Sequence, residues 1–123
     1  MKKTHKLIAM IAIGISVAMT AGVSAHAADG EKVYKKCKAC HKFGKNSVGP
    51  DLTGIVGRQV GTVNFKFSKA FKAKSEEGLM WTEENLDAFL KKPRSFIKKT
   101  KMAFAGLKKE EDRKAVIEYL KTK

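Results

Sequence analysis

Two cysteines and a histidine stand together in this chain as Cys37-Lys38-Ala39-Cys40-His41. Thiols at this spacing can form a local disulfide or redox couple, ligate a metal, or make thioethers to a prosthetic group. A thioredoxin-like couple needs a strand–helix–strand setting, and no strand pattern surrounds this one. A structural zinc site needs four ligands, and beyond residue 27 the chain has no other cysteine or histidine. A disulfide closing so short a loop restricts the unfolded chain very little. The remaining chemistry is the C-x-x-C-H attachment of a c-type haem. The two thiols reach the two vinyl groups, and His41 beside them is placed to ligate the iron. For the sixth iron position the residues leave Met80, Met102, a lysine or nothing. Met80 precedes Trp81 just before a predicted helix and reads equally well as core, as a lone methionine often does. Met102 follows a helix stop and a short basic connection, where a side chain can be aimed at a flat cofactor.

The segment ahead of this motif reads as a targeting signal. Lys2, Lys3 and Lys6 precede an uncharged apolar run from Leu7 to Met19, and Thr20 to Ala27 ends in the small-x-small triplet Ala25-His26-Ala27. That is the pattern of a signal peptide, with cleavage expected after Ala27. A permanent anchor is disfavoured because the run covers only ~20 Å of a ~30 Å hydrocarbon core. Cleavage leaves residues 28–123 as one domain, removes three of the 26 basic residues and none of the 12 acidic ones, and lowers the net charge from +14 to +11. So small a secreted domain has little core of its own and needs a disulfide framework or a cofactor to complete it. The charge calls for an acidic partner. Export argues against nucleic acid, and the lack of a long basic amphipathic helix argues against more than transient membrane association. An acidic protein surface remains.

The elements that must position the motif read as helices joined by loops. Gly30 to Lys36 reads as a short helix leading into the cysteines. Lys42 to Phe67, carrying Gly44, Gly49, Pro50, Gly54, Gly57 and Gly61, is an irregular stretch of a length that is usually functional. Ser68 to Lys74 is a candidate short helix. Thr82 is the expected N-cap of a helix with Leu86, Phe89 and Leu90 on one face, stopped before Pro93. Pro93 starts a further turn over Arg94 to Lys98. Lys109 to Lys121 is the clearest helix, with Val116, Tyr119 and Leu120 on one face and acids at its N-terminal end. The fold class is therefore all-α, three to five short helices with long loops wrapped around one haem.

Taken in order, these motifs resemble the class I cytochromes c, in particular the soluble bacterial carriers close to mitochondrial cytochrome c. The resemblance covers Gly30 to Lys121. It rests on Cys37–His41, on Gly49-Pro50-Asp51-Leu52-Thr53-Gly54-Ile55-Val56-Gly57-Arg58, and on Trp81 leading a helix that ends at Pro93. It continues through Thr100-Lys101-Met102 with Phe104-Ala105-Gly106, and through the closing Ile117-Glu118-Tyr119-Leu120-Lys121. The resemblance implies Met102 as the sixth ligand, opposite His41. It implies that the Pro50 carbonyl accepts a hydrogen bond from His41, that Arg58 and Trp81 hold a haem propionate, and that Ser68 and Thr100 add hydroxyls nearby. Leu52, Leu86, Leu90, Ile97 and Leu120 would line the haem, with Phe104 over its edge. Gly30 and Tyr34 would meet Val116 and Tyr119 where the first and last helices cross. Three departures stand out: Phe67 and Phe89 replace usual tyrosines, and Lys98-Lys99 replace a usual Pro-Gly.

With both axial positions filled, the iron is left with outer-sphere electron transfer and no site for a substrate. The expected function is a soluble, monomeric, periplasmic shuttle of single electrons, not an enzyme. Lys36, Lys38, Lys42, Arg94, Lys98, Lys99, Lys101 and Lys108 flank the haem-binding segments and would dock it onto acidic faces of an oxidase, reductase, dehydrogenase or reaction centre. The alternative, a haem enzyme or gas-binding protein with an open sixth position, requires Met102 to be off the iron, and no distal histidine exists to assist it.

Overall fold

The computed structural model describes residues 25–123, with side chains from Asp29 onward. The expected signal peptide lies outside the described residues except for Ala25–Ala27. Five helices follow in order: α1 (Ala25–Tyr34), α2 (Lys69–Glu76), α3 (Glu83–Lys91), α4 (Pro93–Phe96) and α5 (Glu110–Lys121). Among the described residues there is no strand, only an isolated antiparallel bridge between Gln59 and Met80. No described helix is long and apolar enough to cross a membrane.

Local chemistry explains the helix ends. Ser68 and Thr82 sit in extended conformation ahead of α2 and α3, and their hydroxyls accept from the backbone N–H groups of Phe71 and Asn85. Pro93 opens α4, where its missing N–H costs nothing. Glu110, Glu111 and Asp112 occupy the first turn of α5, where the helix dipole favours them. The first helix differs from expectation. It ends at Tyr34, and the chain tightens into turns in which Lys36 donates to the Val33 carbonyl at 3.0 Å and Cys37 to that of Tyr34 at 2.8 Å. No breaker residue marks that end. The second helix runs two residues beyond the expected Lys74.

α1 packs across α5 at Gly30. A Cβ there would collide with the Ala115 carbonyl and would lie 2.6 Å from the Tyr119 Cβ, so only glycine permits this approach. Beside the crossing, the Tyr34 ring stacks on Phe43 at 4.8 Å and meets Tyr119 at 5.5 Å. α5 is tied to α3 by Arg113, which is only 4% exposed. Its Nε donates to Asp87 at 2.7 Å, and one terminal nitrogen donates to the carbonyls of Leu107 and Lys108, both at 2.9 Å. A buried guanidinium is tolerable only with this degree of pairing. The core is one cluster that includes Leu52, Ile55, Val60, Leu86, Leu90, Ile97, Leu107, Val116 and Leu120. An aromatic layer joins it, with Phe89 5.0 Å from Trp81 and 5.9 Å from Phe71.

Candidate functional site

The turns after α1 place Cys37 half-buried against the core and Cys40 at the surface, both as free thiols. The Cys37 carbonyl accepts from the N–H groups of Cys40 at 3.1 Å and His41 at 2.9 Å, so the three residues share one turn. Burial raises the Cys37 thiol above its ordinary value, against the opposing pull of Lys36.

His41 is held from two sides. Its Nδ1 lies 2.8 Å from the Pro50 carbonyl. A carbonyl can only accept, so Nδ1 carries the proton and Nε2 keeps its lone pair. On the other side stands Gly49, where a Cβ would fall 2.5 Å from the ring Cε1 and 2.8 Å from Nδ1. Only glycine leaves room for the imidazole there. The Gly49 N–H in turn donates to the Cys40 carbonyl at 2.7 Å, and the Tyr34 hydroxyl donates to the His41 carbonyl at 3.3 Å. The turn, the free thiols and an imidazole with Nε2 available fit covalent haem with His41 on the iron.

The two methionines are placed differently. Met80 is 40% exposed, and its backbone is engaged by Gln59 and by the Asn85 side chain, which donates to its carbonyl at 2.8 Å. Met102 is half-buried and packs against the core cluster. The Met102 N–H donates to the Thr100 hydroxyl at 3.3 Å. Gly106 closes that loop at φ 112, where a Cβ would collide with the Lys91 carbonyl, and Leu107 N–H pairs with the Leu90 carbonyl at 2.7 Å. The loop is thus anchored at both ends around Met102.

Leu52, Leu86, Leu90, Ile97 and Leu120 all lie in the core, and Phe104 packs against it half-buried. Ser68 and Thr100 are buried hydroxyls that accept from backbone N–H groups and keep their own protons to donate. Trp81 is buried, and its backbone pairs with Arg58 at 2.8 Å, bringing these two residues together. The guanidinium of Arg58 donates to the carbonyls of Thr53 at 2.8 Å and Asp51 at 3.0 Å, each terminal nitrogen retaining a further N–H.

Lys98 and Lys99 occupy the middle of a turn closed by the Thr100 N–H on the Ile97 carbonyl at 3.1 Å. Lys99 has φ 63, the only positive value at a non-glycine residue among those described. The turn has kept the shape that Pro-Gly would favour without keeping those residues. Phe89 meets the rings of Phe71, Trp81 and Phe96, and Phe67 stacks on Phe71 at 5.6 Å, so both take part in ring-on-ring packing.

Lys36, Lys38, Lys42, Arg94, Lys98, Lys99, Lys101 and Lys108 are all exposed, and none is within ion-pair distance of a carboxylate among the described residues. The paired lysines, such as Lys114 with Glu110 and Lys121 with Glu83 and Glu118, sit on the helices. Arg94 and Phe104 line one surface depression and Lys108 lines its neighbour, the two meeting at Lys92 and Ala105. Sequence reasoning gave no role to Asp51, Asn46 or Arg113. An Asp beside Gly-Pro signals a turn, but nothing in the sequence names its partners.

The cytochrome c family model matches residues 27–123. The chain is 52% identical to cytochrome c2 of Afifella marina over 99 residues, covering 77% of this chain and 80% of the relative. It is 42% identical to cytochrome c-554 of Methylosinus trichosporium over 124 residues, covering 94% and 92%. Among solved structures it resembles cytochrome cH from Methylobacterium extorquens, with a TM-score of 0.74 at 42% identity over 79% of this chain and 98% of that one. Cytochrome c2 from Rhodospirillum centenum gives 0.73 at 44% identity over 78% and 96%. The matches span the haem motif, the methionine loop and the closing helix together, and the chain belongs to the cytochrome c family, as a class I c-type cytochrome with one covalently bound haem c.

Proposed function

We propose that the mature protein, beginning after Ala27, is a periplasmic carrier of single electrons in which His41 and Met102 are the axial iron ligands. The observation that supports the reading is the way each side chain is held. His41 has Nδ1 committed to the Pro50 carbonyl, and Met102 sits half-buried on a loop anchored at both ends, while Met80 is turned outward. The haem supplies a one-electron Fe(III)/Fe(II) couple whose potential its axial ligands and dry surroundings keep positive. The protein's part is to hold the ligands still. Gly49 and Pro50 fix the imidazole plane, and the buried leucines and Ile97 exclude water. Arg58, Trp81, Ser68 and Thr100 keep donors available for a propionate. The exposed, unpaired basic residues steer encounters with acidic faces of redox proteins, and such steering weakens as salt screens it.

The test is the second-order rate of electron exchange with an acidic redox partner, followed by stopped flow across ionic strength. The expected result is a fall of about tenfold or more between low and physiological salt. A flat profile would leave the basic residues as a solubility feature only. Carbon monoxide added to the reduced protein should leave its spectrum unchanged, and rapid binding would favour an open-site haem protein instead.

A further inference from the structure

The Pro50 carbonyl and the Asp51 N–H belong to one planar peptide unit, so whatever fixes the N–H also aims the carbonyl. The carbonyl points at His41 Nδ1, at 2.8 Å. The N–H, on the opposite side of the same plane, donates to the Asn46 side-chain oxygen at 3.0 Å. Asn46 is itself anchored, its amide nitrogen donating to the Asn64 carbonyl at 2.5 Å. The Asp51 carboxylate closes the loop from within. One oxygen accepts from the Gly44 N–H at 3.0 Å, the Thr53 N–H at 2.8 Å and the Thr53 hydroxyl at 2.7 Å. Arg58 then holds the Asp51 carbonyl at 3.0 Å.

From this geometry we infer that Asn46 and Asp51 are positioning residues for the axial histidine, acting through the Pro50–Asp51 peptide plane. The inference rests on the reading that His41 ligates the iron. Neither side chain hydrogen-bonds to His41. Asn46 fixes the tilt of the peptide, and the Asp51 carboxylate holds in place the loop that carries it. A well-aimed carbonyl draws the Nδ1 proton and makes the imidazole a stronger electron donor, which favours Fe(III). Loosening the plane weakens that hydrogen bond, exposes the Nδ1 proton to solvent and raises the reduction potential.

The experiment measures hydrogen exchange of the His41 Nδ1 proton by NMR in the reduced holoprotein, together with the potential, for Asn46→Ala, Asp51→Ala and Asp51→Asn. Losing hydrogen bonds that hold the loop closed should speed exchange by about tenfold in each alanine variant. Asp51→Asn keeps an acceptor oxygen in the same place and should exchange within about twofold of the parent. Asn46→Ala removes no charge, so the rise in its potential reports the hydrogen bond alone. Parent-like exchange in a folded Asn46→Ala protein would overturn the inference, as would an Asp51→Asn variant as fast as Asp51→Ala. If Asp51→Ala does not fold, the exposed Asn46 position decides the matter. Failure of the ligation reading is visible separately, because the His41 ring protons of the reduced parent protein would then lack the upfield ring-current shifts that ligation to a haem iron imposes.

Discussion

Lys99 carries a backbone conformation that its side chain opposes, and replacing it gives a quantitative test of the methionine loop. A Cβ at φ 63 crowds the neighbouring carbonyl oxygen, at a cost of roughly 1–2 kcal/mol. The side chain is exposed and makes no hydrogen bond or ion pair among the described residues that would offset this. Glycine removes the strain but adds freedom to the unfolded chain, a penalty of roughly 0.4–1 kcal/mol. Lys99→Gly should therefore stabilise the protein by about 0.5–1 kcal/mol. For a domain of this size that is a rise in midpoint temperature of about 2–8 °C. Lys99→Ala keeps the Cβ and should leave stability near that of the parent. The assay is guanidinium denaturation of the holoprotein followed by circular dichroism, with an unchanged slope taken as evidence that only stability has moved. A glycine variant no more stable than the alanine variant would refute the reasoning. Lys98 precedes it in the turn, and Lys98→Pro should add roughly a further 0.4–1 kcal/mol.

Three further outcomes follow from the site. Gly49→Ala drives a methyl group against the His41 ring and should cost about 2–3 kcal/mol in the same denaturation assay, while Gly44→Ala, open at its Cβ but strained at φ 78, should cost about half as much. Hydrogen bonds from the Thr53 N–H and hydroxyl and the Gly44 N–H hold the Asp51 carboxyl below its ordinary 3.8. Its contribution to stability is therefore present above that value and lost as pH falls through the lower folded one. The stability gap between the parent and Asp51→Asn, measured by denaturation from pH 7 to pH 2, should shrink as acid is added. Burial, aided by the nearby Cys37, Tyr119 and Asp51, pushes the Tyr34 hydroxyl up to about 12. The stabilisation from its neutral form is complete below about pH 10 and is lost as pH rises through 12, so an ultraviolet titration should show a late tyrosinate step that Tyr34→Phe removes.

Much of this was legible because the residues that decide it act locally. Thr82, Pro93 and the apolar face of Leu86, Phe89 and Leu90 fix α3 with no help from the rest of the chain. Cys37, Cys40 and His41 announce their chemistry by spacing alone. The end of α1 at Tyr34 was not legible, because the turns that stop it are set by packing of Tyr34 and Cys37 and not by a glycine or proline. The stretch from Lys42 to Phe67 reads as irregular, and its internal bonds join residues such as Asn46 and Asn64 that carry no signal of each other. Arg113 reads as one more charge on a surface helix. It is buried because Asp87, 26 residues away in sequence, and the carbonyls of Leu107 and Lys108 in the loop before α5 converge on it.

The central claim, iron held between His41 and Met102, is tested most directly by the near-infrared spectrum of the oxidised holoprotein, where a thioether ligand gives a sulfur-to-iron(III) charge-transfer band. The band is expected in the parent protein and in Met80→Leu and should vanish in Met102→Leu. Its absence from the parent, or its survival in Met102→Leu, would contradict the account.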